Sequence, residues 1–133
     1  MILDSSAILA IVFREEGFER LARSILEADW VGIATPTLVE SGIVLTARIG
    51  PDGRGALERF LDEFRVEEVP FGEPHWRAAV DAFERYGKGR HPANLNLGDC
   101  FSYALARIAD DDLLFVGGDF QRTDLTTPRE EES

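Results

Sequence analysis

Short apolar runs alternate along this chain with longer segments in which apolar residues recur every three or four positions. The short runs predict β-strands, and the periodic segments predict helices with one buried face. The predicted strands are residues 1–3, 30–34, 66–71 and 113–116. The predicted helices are residues 7–13, 17–28, 55–64, 74–86 and 97–109, with another that opens at 35–37 and ends before a turn at 50–53.

The order of these elements predicts an α/β fold. Because strands alternate with helices, we expect a central parallel sheet that is covered by helices on both faces. The unbroken apolar run at residues 113–116 is typical of a strand at the centre of such a sheet. We predict one domain over residues 1–125, followed by a flexible acidic tail at residues 126–133.

The composition agrees with one folded domain and limits the functions that are open to it. The chain has 133 residues, of which 44% are hydrophobic, so it can bury a core without disulfides or a structural metal. Its net charge of -11 argues against a broad basic surface that binds nucleic acid. The charge does not exclude a nuclease, because a bound divalent cation offsets the acids around it.

Several features predict where the protein works. The single cysteine, Cys100, excludes an internal disulfide and agrees with a reducing compartment. Asp4 and the absence of basic residues near the start argue against a signal peptide. No apolar run reaches the roughly 18–20 residues that a membrane span needs. We therefore expect a soluble, cytoplasmic protein that does not associate with a membrane.

Four acidic residues lie at or soon after the ends of predicted strands. Asp4 directly follows the first strand, and Asp119 follows the last one after two glycines. Glu40 lies one turn into the helix after the second strand, and Asp99 lies at the start of the helix after the loop at residues 87–96. Ligands of open α/β folds bind outside the carboxyl ends of the strands. All four acids are therefore expected at one edge of the sheet.

Three of these acids have structural roles as alternatives. Asp4 and Asp99 each stand where an N-cap residue would accept a hydrogen bond from the first turn of a helix. Asp119 follows two glycines and fits an ordinary turn. Each residue taken by itself leaves the structural and the functional interpretation open.

Glu40 has a different structural alternative, which is a capping box with Thr37. However, Glu40 is the only charged residue between positions 30 and 46, and Ile43 and Val44 follow it on the same helical stripe. An unpaired charge is costly to bury. This position therefore favours a functional role for Glu40 over a cap.

The four acids together predict more than each one alone. Ionised carboxylates crowd together only when a cation lies between them. Oxygen ligands without histidine or cysteine indicate a hard ion, namely Mg²⁺ or Mn²⁺. Such an ion stabilises charge on a phosphoryl oxygen and lowers the pKa of a bound water. A carboxylate site with one or two ions is thus suited to phosphodiester hydrolysis.

Four motifs of the chain resemble those of VapC-type PIN-domain toxins. They are MILDSSAILAI at residues 1–11, Glu40 after a Thr-Pro turn, NLGDCFSYA at residues 96–104, and GDF at 118–120 followed by TDL at 123–125. Each motif is weak by itself, but four in this order and spacing are specific. The resemblance extends over residues 1–125.

The resemblance implies a three-layer α/β/α PIN fold and Mg²⁺-dependent endonucleolytic cleavage of RNA. It also implies a cognate VapB-type antitoxin that inhibits the protein, and a homodimer. By the same resemblance, Asp4 and Asp99 are metal ligands, and Glu40 and Asp119 complete the acidic catalytic site directly or through water. Many relatives carry a further polar residue just before the last acid, where this chain has glycines. Asp124 is interpreted as structural.

The loop at residues 86–91 is the one locally basic stretch before Asp99. Its cations, Lys88 and Arg90, are candidates for contacts with the RNA backbone, because lysine and arginine supply most phosphate contacts. A solvated loop without a role in binding is an equal alternative.

Other functions are open to the same acids. A metal-dependent phosphatase of the haloacid-dehalogenase type also places an aspartate after its first strand, but it needs a second one where this chain has Ser6. A phosphoacceptor receiver domain needs adjacent acids near the first strand and a lysine after a late strand, and neither is present. A catalytically silent PIN-like binding module would be indicated by the loss of a site acid, but all four are present.

Overall fold

A computed structural model describes residues 1–125, apart from the side chain of Asp119. The predicted acidic tail, residues 126–133, lies outside the described residues. The strands are β1 (Ile2–Leu3), β2 (Gly32–Ala34), β3 (Glu67–Val69) and β4 (Leu113–Leu114). The helices are α1 (Ser5–Val12), α2 (Phe18–Glu27), α3 (Thr35–Ile49), α4 (Gly53–Glu63), α5 (Glu73–Tyr86) and α6 (Leu97–Ala109), with short 3-10 helices at Gly50–Asp52 and Asp119–Arg122.

Every predicted strand and helix is present, and α6 has the bounds that its sequence pattern predicts. The strands are shorter than the segments predicted for them. In β2, Val31 is buried although the strand begins at Gly32. The sequence pattern therefore locates each strand but not its exact ends.

The four strands form one parallel sheet in the order β3-β2-β1-β4. The expectation that residues 113–116 form a central strand is wrong, since β4 lies at the edge of the sheet in the described part of the chain. Leu113 and Leu114 are nevertheless buried, because helices cover both faces of this edge strand. Val116 lies beyond the strand and is 48% exposed.

A hydrophobic core lies on each face of the sheet. Ile2 and Leu113 belong to the core that includes residues of α5 and α6. Leu3 and Leu114 belong to the other core, which includes residues of α1, α2, α3 and α4. Successive side chains of a strand point to opposite faces, so each pair of adjacent apolar residues contributes one side chain to each core. The expected three-layer α/β/α architecture is confirmed.

Candidate active site

Asp4 lies at the point where β1 ends and α1 begins. It is the N-cap of α1, and its Oδ2 accepts a hydrogen bond of 3.1 Å from the backbone amide of Ser6. Such a bond satisfies an amide that has no partner within the helix. The structural role that the sequence allows for Asp4 is therefore present.

Capping does not account for the other contacts of Asp4. The side chain is buried, and its Oδ2 accepts a bond of 2.6 Å from the Ser6 hydroxyl. Its Oδ1 accepts a bond of 2.6 Å from the hydroxyl of Ser102, which reaches it from α6. Hydrogen bonds to a charged acceptor are short and strong, and they offset the cost of burying the carboxylate. These contacts hold both carboxylate oxygens of Asp4 in one orientation.

Glu40 lies in the second turn of α3 and does not form a capping box. The N-cap of α3 is Ala34, and Thr37 is already the third residue of the helix. The Glu40 carboxylate instead accepts a bond of 2.6 Å from the hydroxyl of Ser5, the first residue of α1. Two consecutive serines thus contact the two acids, since Ser5 donates to Glu40 and Ser6 donates to Asp4.

The side chain of Glu40 also lies against the first turn of α6. A Cβ atom placed on Gly98 would be 1.9 Å from the Glu40 Oε2 atom and 2.7 Å from its Cδ atom. No side chain larger than that of glycine fits here without a shift of the carboxylate. Gly98 thus makes room for Glu40 beside Asp99.

The apolar stripe that the sequence suggests for Glu40 is not the buried face of α3. Ile43 is 64% exposed, whereas the buried residues of the helix are Thr37, Ser41 and Leu45. The argument from a buried stripe is therefore wrong, although Glu40 does have the partner that it required. A helix that is apolar on more than one side does not reveal its buried side by periodicity alone.

Asp99 is the third residue of α6, and the N-cap of that helix is Asn96. The Asn96 side chain accepts a bond of 2.9 Å from the Asp99 amide, and Asp99 Oδ2 accepts one of 3.0 Å from the Asn96 amide. This is a capping box, so Asp99 is not the N-cap that the sequence suggested. Asp99 therefore lies in the first turn of α6, directly after the Gly98 that adjoins Glu40.

Asp119 is the first residue of the short 3-10 helix after β4. The backbone shortly before it lies close to Asp4, because the Val116 amide donates a bond of 2.9 Å to the Ser6 hydroxyl, which in turn contacts Asp4. Among the side chains that the structure describes, no three His, Cys, Asp or Glu groups lie together closely enough to hold a metal ion. The metal site of four acids therefore stays a prediction, for which the structure provides the common location of Asp4, Glu40 and the start of α6.

Four residues of this region were not predicted from the sequence as part of the site: Ser5, Ser6, Gly98 and Ser102. Ser5 and Ser6 directly follow Asp4, but no pattern in the sequence indicates which acids their side chains contact. Ser102 is a buried polar residue in the otherwise apolar middle of α6, and Gly98 is a poor helix former in a first helical turn. Both residue types are unusual at these positions of a helix, and this is the sequence signal that could have indicated their part in the site.

Cys100 follows Asp99 directly but does not supply a nucleophile. Burial and the nearby Asp99 carboxylate raise the pKa of Cys100 to about 11. The thiolate is the reactive and metal-binding form of cysteine, and it is scarce near neutral pH at this position. Because the side chain is buried, Cys100 acts as a packing residue of α6.

Asp124 contacts the middle and the last turn of α6 and has structural partners. Its carboxylate accepts a hydrogen bond from the Tyr103 hydroxyl and lies 3.7 Å from the guanidinium of Arg107. Burial acts to raise the pKa of Asp124, but the bond from Tyr103 and the charge of Arg107 outweigh it and lower the pKa. These contacts tie the last described residues to α6, in agreement with a structural role.

Lys88 and Arg90 are exposed in the loop between α5 and α6. The backbone of this loop is held, since the Lys88 amide donates a bond of 2.8 Å to the Leu95 carbonyl. The guanidinium of Arg90 lies 5.5 Å from the centre of the Phe83 ring. Both cations are accessible, and their contact with RNA remains a prediction.

Residues 1–125 match the family model described as the PIN domain. This chain belongs to the PIN-domain family. Ribonuclease VapC30 of Mycobacterium tuberculosis is 41% identical to it over 128 residues, which are 96% of this chain and 97% of that relative. Ribonuclease VapC36 of the same organism is 44% identical over 126 residues, which are 94% of this chain and 91% of that relative. The similarity to VapC proteins that the four motifs indicate is confirmed.

Two solved structures share the fold. The crystal structure of Mycobacterium tuberculosis VapC20, described as a Sarcin-Ricin loop cleaving toxin, has a TM-score of 0.77 at 19% identity and covers 97% of this chain and 98% of that one. VapBC2 from Rickettsia felis, bound to a DNA fragment from its promoter, has a TM-score of 0.70 at 15% identity, with 92% of each chain covered. None of the helices within residues 1–125 is long and apolar enough to cross a membrane.

Proposed function

We propose that this PIN-domain protein is a Mg²⁺-dependent endoribonuclease and the toxin of a VapBC-type toxin–antitoxin pair. The observation that carries the proposal is the buried carboxylate of Asp4, which three donors orient at the carboxyl end of the sheet. Glu40 is bound to the neighbouring Ser5, and Asp99 lies in the first turn of the helix that supplies Ser102. The names of the curated relatives, which are ribonucleases called VapC, support the same activity.

The carboxylate chemistry at this end of the sheet suits a hard divalent cation, although the described side chains alone do not bring three acids together closely enough to hold one. The groups that would hold it are the carboxylates of Asp4, Glu40, Asp99 and Asp119, and oxygen ligands favour Mg²⁺ with Mn²⁺ as a substitute. The one cysteine nearby, Cys100, is a buried thiol with a raised pKa and is a poor ligand. When bound, such an ion stabilises charge on a phosphoryl oxygen and lowers the pKa of a water molecule.

The protein itself contributes orientation. Ser6 and Ser102 hold the two oxygens of Asp4, and Ser5 holds one oxygen of Glu40, so these carboxylates are fixed before substrate arrives. A group that is already in place costs no reorganisation during the reaction. Asp99 is held in the same way through its bond with Asn96.

The same proposal includes the partners of the protein. We expect Lys88 and Arg90 to contact the RNA backbone, since phosphate contacts position a nucleic acid without reading its sequence. We expect a VapB-type antitoxin and a homodimer in the cytoplasm. Exposed apolar side chains on α3 and α5, such as Val39, Trp76 and Val80, support contact with a protein partner.

The test is cleavage of structured RNA by the purified protein in Mg²⁺. Cleavage should stop when EDTA is added, and Mg²⁺ or Mn²⁺ should restore it. Asp4→Ala and Asp99→Ala should each lower kcat/KM by roughly two orders of magnitude or more, because a metal contributes several kcal/mol to such a reaction. Asp81→Ala is the matched control, since Asp81 is an exposed aspartate of α5.

Other outcomes separate the alternatives. Hydrolysis of a phosphomonoester such as p-nitrophenyl phosphate without cleavage of RNA would indicate a phosphatase. Binding of RNA without cleavage in any divalent metal would indicate a silent binding module. Full nuclease activity in both folded alanine variants would end the proposal.

A further inference from the structure

The segment that leads to Asp119 is attached to β1 through a regular alternation of hydrogen bonds. The amides of Ile2 and Asp4 donate to the carbonyls of Asp112 and Leu114, at 2.8 and 3.0 Å. Bonds of a parallel ladder recur every second residue on each strand. Along β4 and the residues that continue it, the next amide that points towards β1 is therefore that of Val116.

The backbone carbonyl that the ladder would offer to Val116, that of Asp4, is directed into α1. As the chain turns from β1 into α1, the Asp4 carbonyl accepts a bond of 3.2 Å from the Ala7 amide. The Val116 amide donates instead to the hydroxyl of Ser6, at 2.9 Å. The Ser6 hydroxyl thus takes the place of a backbone carbonyl as the acceptor, at the point where β1 has ended.

The same hydroxyl contacts the Asp4 carboxylate at 2.6 Å. A serine hydroxyl has one hydrogen to donate, and an ionised carboxylate only accepts. The Ser6 hydrogen therefore points to Asp4 Oδ2, and an oxygen lone pair accepts the bond from Val116. In this arrangement Ser6 connects the carboxylate of one site acid to the backbone that leads to another.

The two residues between Val116 and Asp119 are glycines, so they have no side chains that could anchor this segment. Gly117 has a positive φ of 106°, and a Cβ on either Gly117 or Gly118 would meet no heavy atom within 4 Å. The next anchor is Phe120, which is 2% exposed and packs on the Phe115 ring with centroids 4.9 Å apart. Asp119 thus lies between two anchors, the Val116 amide and the Phe120 ring.

We infer that Ser6 is a positioning residue, which holds the segment of residues 116–119 against Asp4 and so keeps Asp119 beside the other site acids. Three residues span at most about 11 Å, so an anchor at Val116 strongly limits where the backbone of Asp119 can lie. The inference rests on the proposed function, because it assumes that Asp119 belongs to the metal site. It differs from the role of Ser102, whose hydroxyl donates to the other carboxylate oxygen of Asp4.

The test compares Ser6→Ala with Ser6→Thr, which keeps the hydroxyl, and with Ser102→Ala. Ser24→Ala is the control, since the Ser24 hydroxyl donates to the backbone carbonyl of Arg20 in an exposed part of α2. Three quantities are measured on the isolated protein: hydrogen exchange of the backbone amides at residues 116–119 by NMR, the Kd for Mn²⁺, and kcat and KM for RNA cleavage.

In Ser6→Ala we expect the Val116 amide to exchange about tenfold faster, because one hydrogen bond is lost. The Kd for Mn²⁺ should rise and kcat should fall by about tenfold or more, with a smaller change in KM. Ser6→Thr should restore all three quantities to within about twofold. Ser102→Ala should affect catalysis but leave the exchange of Val116 near that of the wild type.

Unchanged exchange at Val116 in Ser6→Ala would overturn the inference. So would faster exchange with a Kd for Mn²⁺ and a kcat equal to those of Ser24→Ala. If the wild-type protein cuts no RNA, the proposed function fails, but exchange and Mn²⁺ binding still decide the role of Ser6. If Ser6→Ala does not fold, Ser6→Cys provides the same comparison, since a thiol fills the volume but bonds weakly.

Discussion

Replacement of Gly98 by alanine is expected to change the activity of this protein far more than its stability. The added Cβ would lie 1.9 Å from Glu40 Oε2, whereas real Cβ atoms keep at least 3.0 Å from other heavy atoms. The Glu40 carboxylate must therefore move by more than 1 Å. This movement would take it out of its bond of 2.6 Å with the Ser5 hydroxyl.

The effect on stability has two opposing parts. Alanine is favoured over glycine inside a helix by about 0.8–1.0 kcal/mol. Loss of a hydrogen bond to a charged group costs about 1.5–3 kcal/mol, but Glu40 is only partly buried and water can replace part of that bond. The net change should be a loss of about 1 kcal/mol, which lowers Tm by roughly 5 °C or less in a domain of this size.

The effect on activity has no such compensation. A catalytic group that is misplaced by about 1 Å can cost roughly 100-fold in rate. We therefore expect Gly98→Ala to lower kcat/KM for RNA cleavage by about that factor. A double variant with Glu40→Gln should lose little more than the worse single variant, because both changes act on the same carboxylate.

The assay pairs calorimetric unfolding with RNA cleavage in Mg²⁺. Gly42→Ala is the matched control, because Gly42 lies in α3 and its added Cβ would make only an ordinary contact of 3.6 Å with Leu57. Gly42→Ala should keep full activity. Wild-type activity in Gly98→Ala would refute the argument that the position of Glu40 matters, and so would a collapse of stability that alone explains the loss.

Three further predictions follow from the same contacts. Ser102→Ala should lower the free energy of unfolding by about 1–3 kcal/mol, because it removes the donor to Oδ1 of the buried Asp4; urea denaturation measures this, and no change would contradict it. Although burial acts to raise the pKa of Asp124, a tyrosine hydroxyl and an arginine lower it, so its contribution to stability is present above its ordinary pKa of 3.8 and lost as pH falls further. Asp124→Asn should therefore flatten the dependence of Tm on pH below pH 4, and an unchanged profile would count against this. Neutralising Lys88 and Arg90 to glutamine should weaken RNA binding at low salt and leave Tm unchanged; equal affinity for RNA would exclude the loop from the binding surface.

The sequence pattern predicts the secondary structure of this protein well, because each element has local signals. The helix at residues 97–109 has the predicted bounds, since Asn96 and Asp99 form a local capping box at its start. The strand at residues 113–116 is present but lies at the edge of the sheet instead of the centre. The strand is apolar because helices bury it on both faces. This burial does not depend on which strands it pairs with, so the local sequence cannot predict its place in the sheet.

The site could be predicted as a set of residue types but not as a set of contacts. Asp4 and Glu40 were identified from their places after strands, and both have the partners that buried or half-buried acids need. The partners themselves are distant in the sequence, since Ser5 is 35 positions from Glu40 and Ser102 is 98 positions from Asp4. No local pattern connects them, and only the packing of α1, α3 and α6 around the end of the sheet reveals the contacts.

The sequence by itself determined which elements form, which acids follow the strands and to which family the chain belongs, because these depend on periodicity and on short motifs. Only the tertiary structure decided that one Ser6 hydroxyl joins Asp4 to the segment before Asp119, and that Gly98 makes room for Glu40. The physical reason is that hydrogen bonds and close contacts act over about 3 Å in space, whereas the residues that make them are separated by up to 110 positions in the chain.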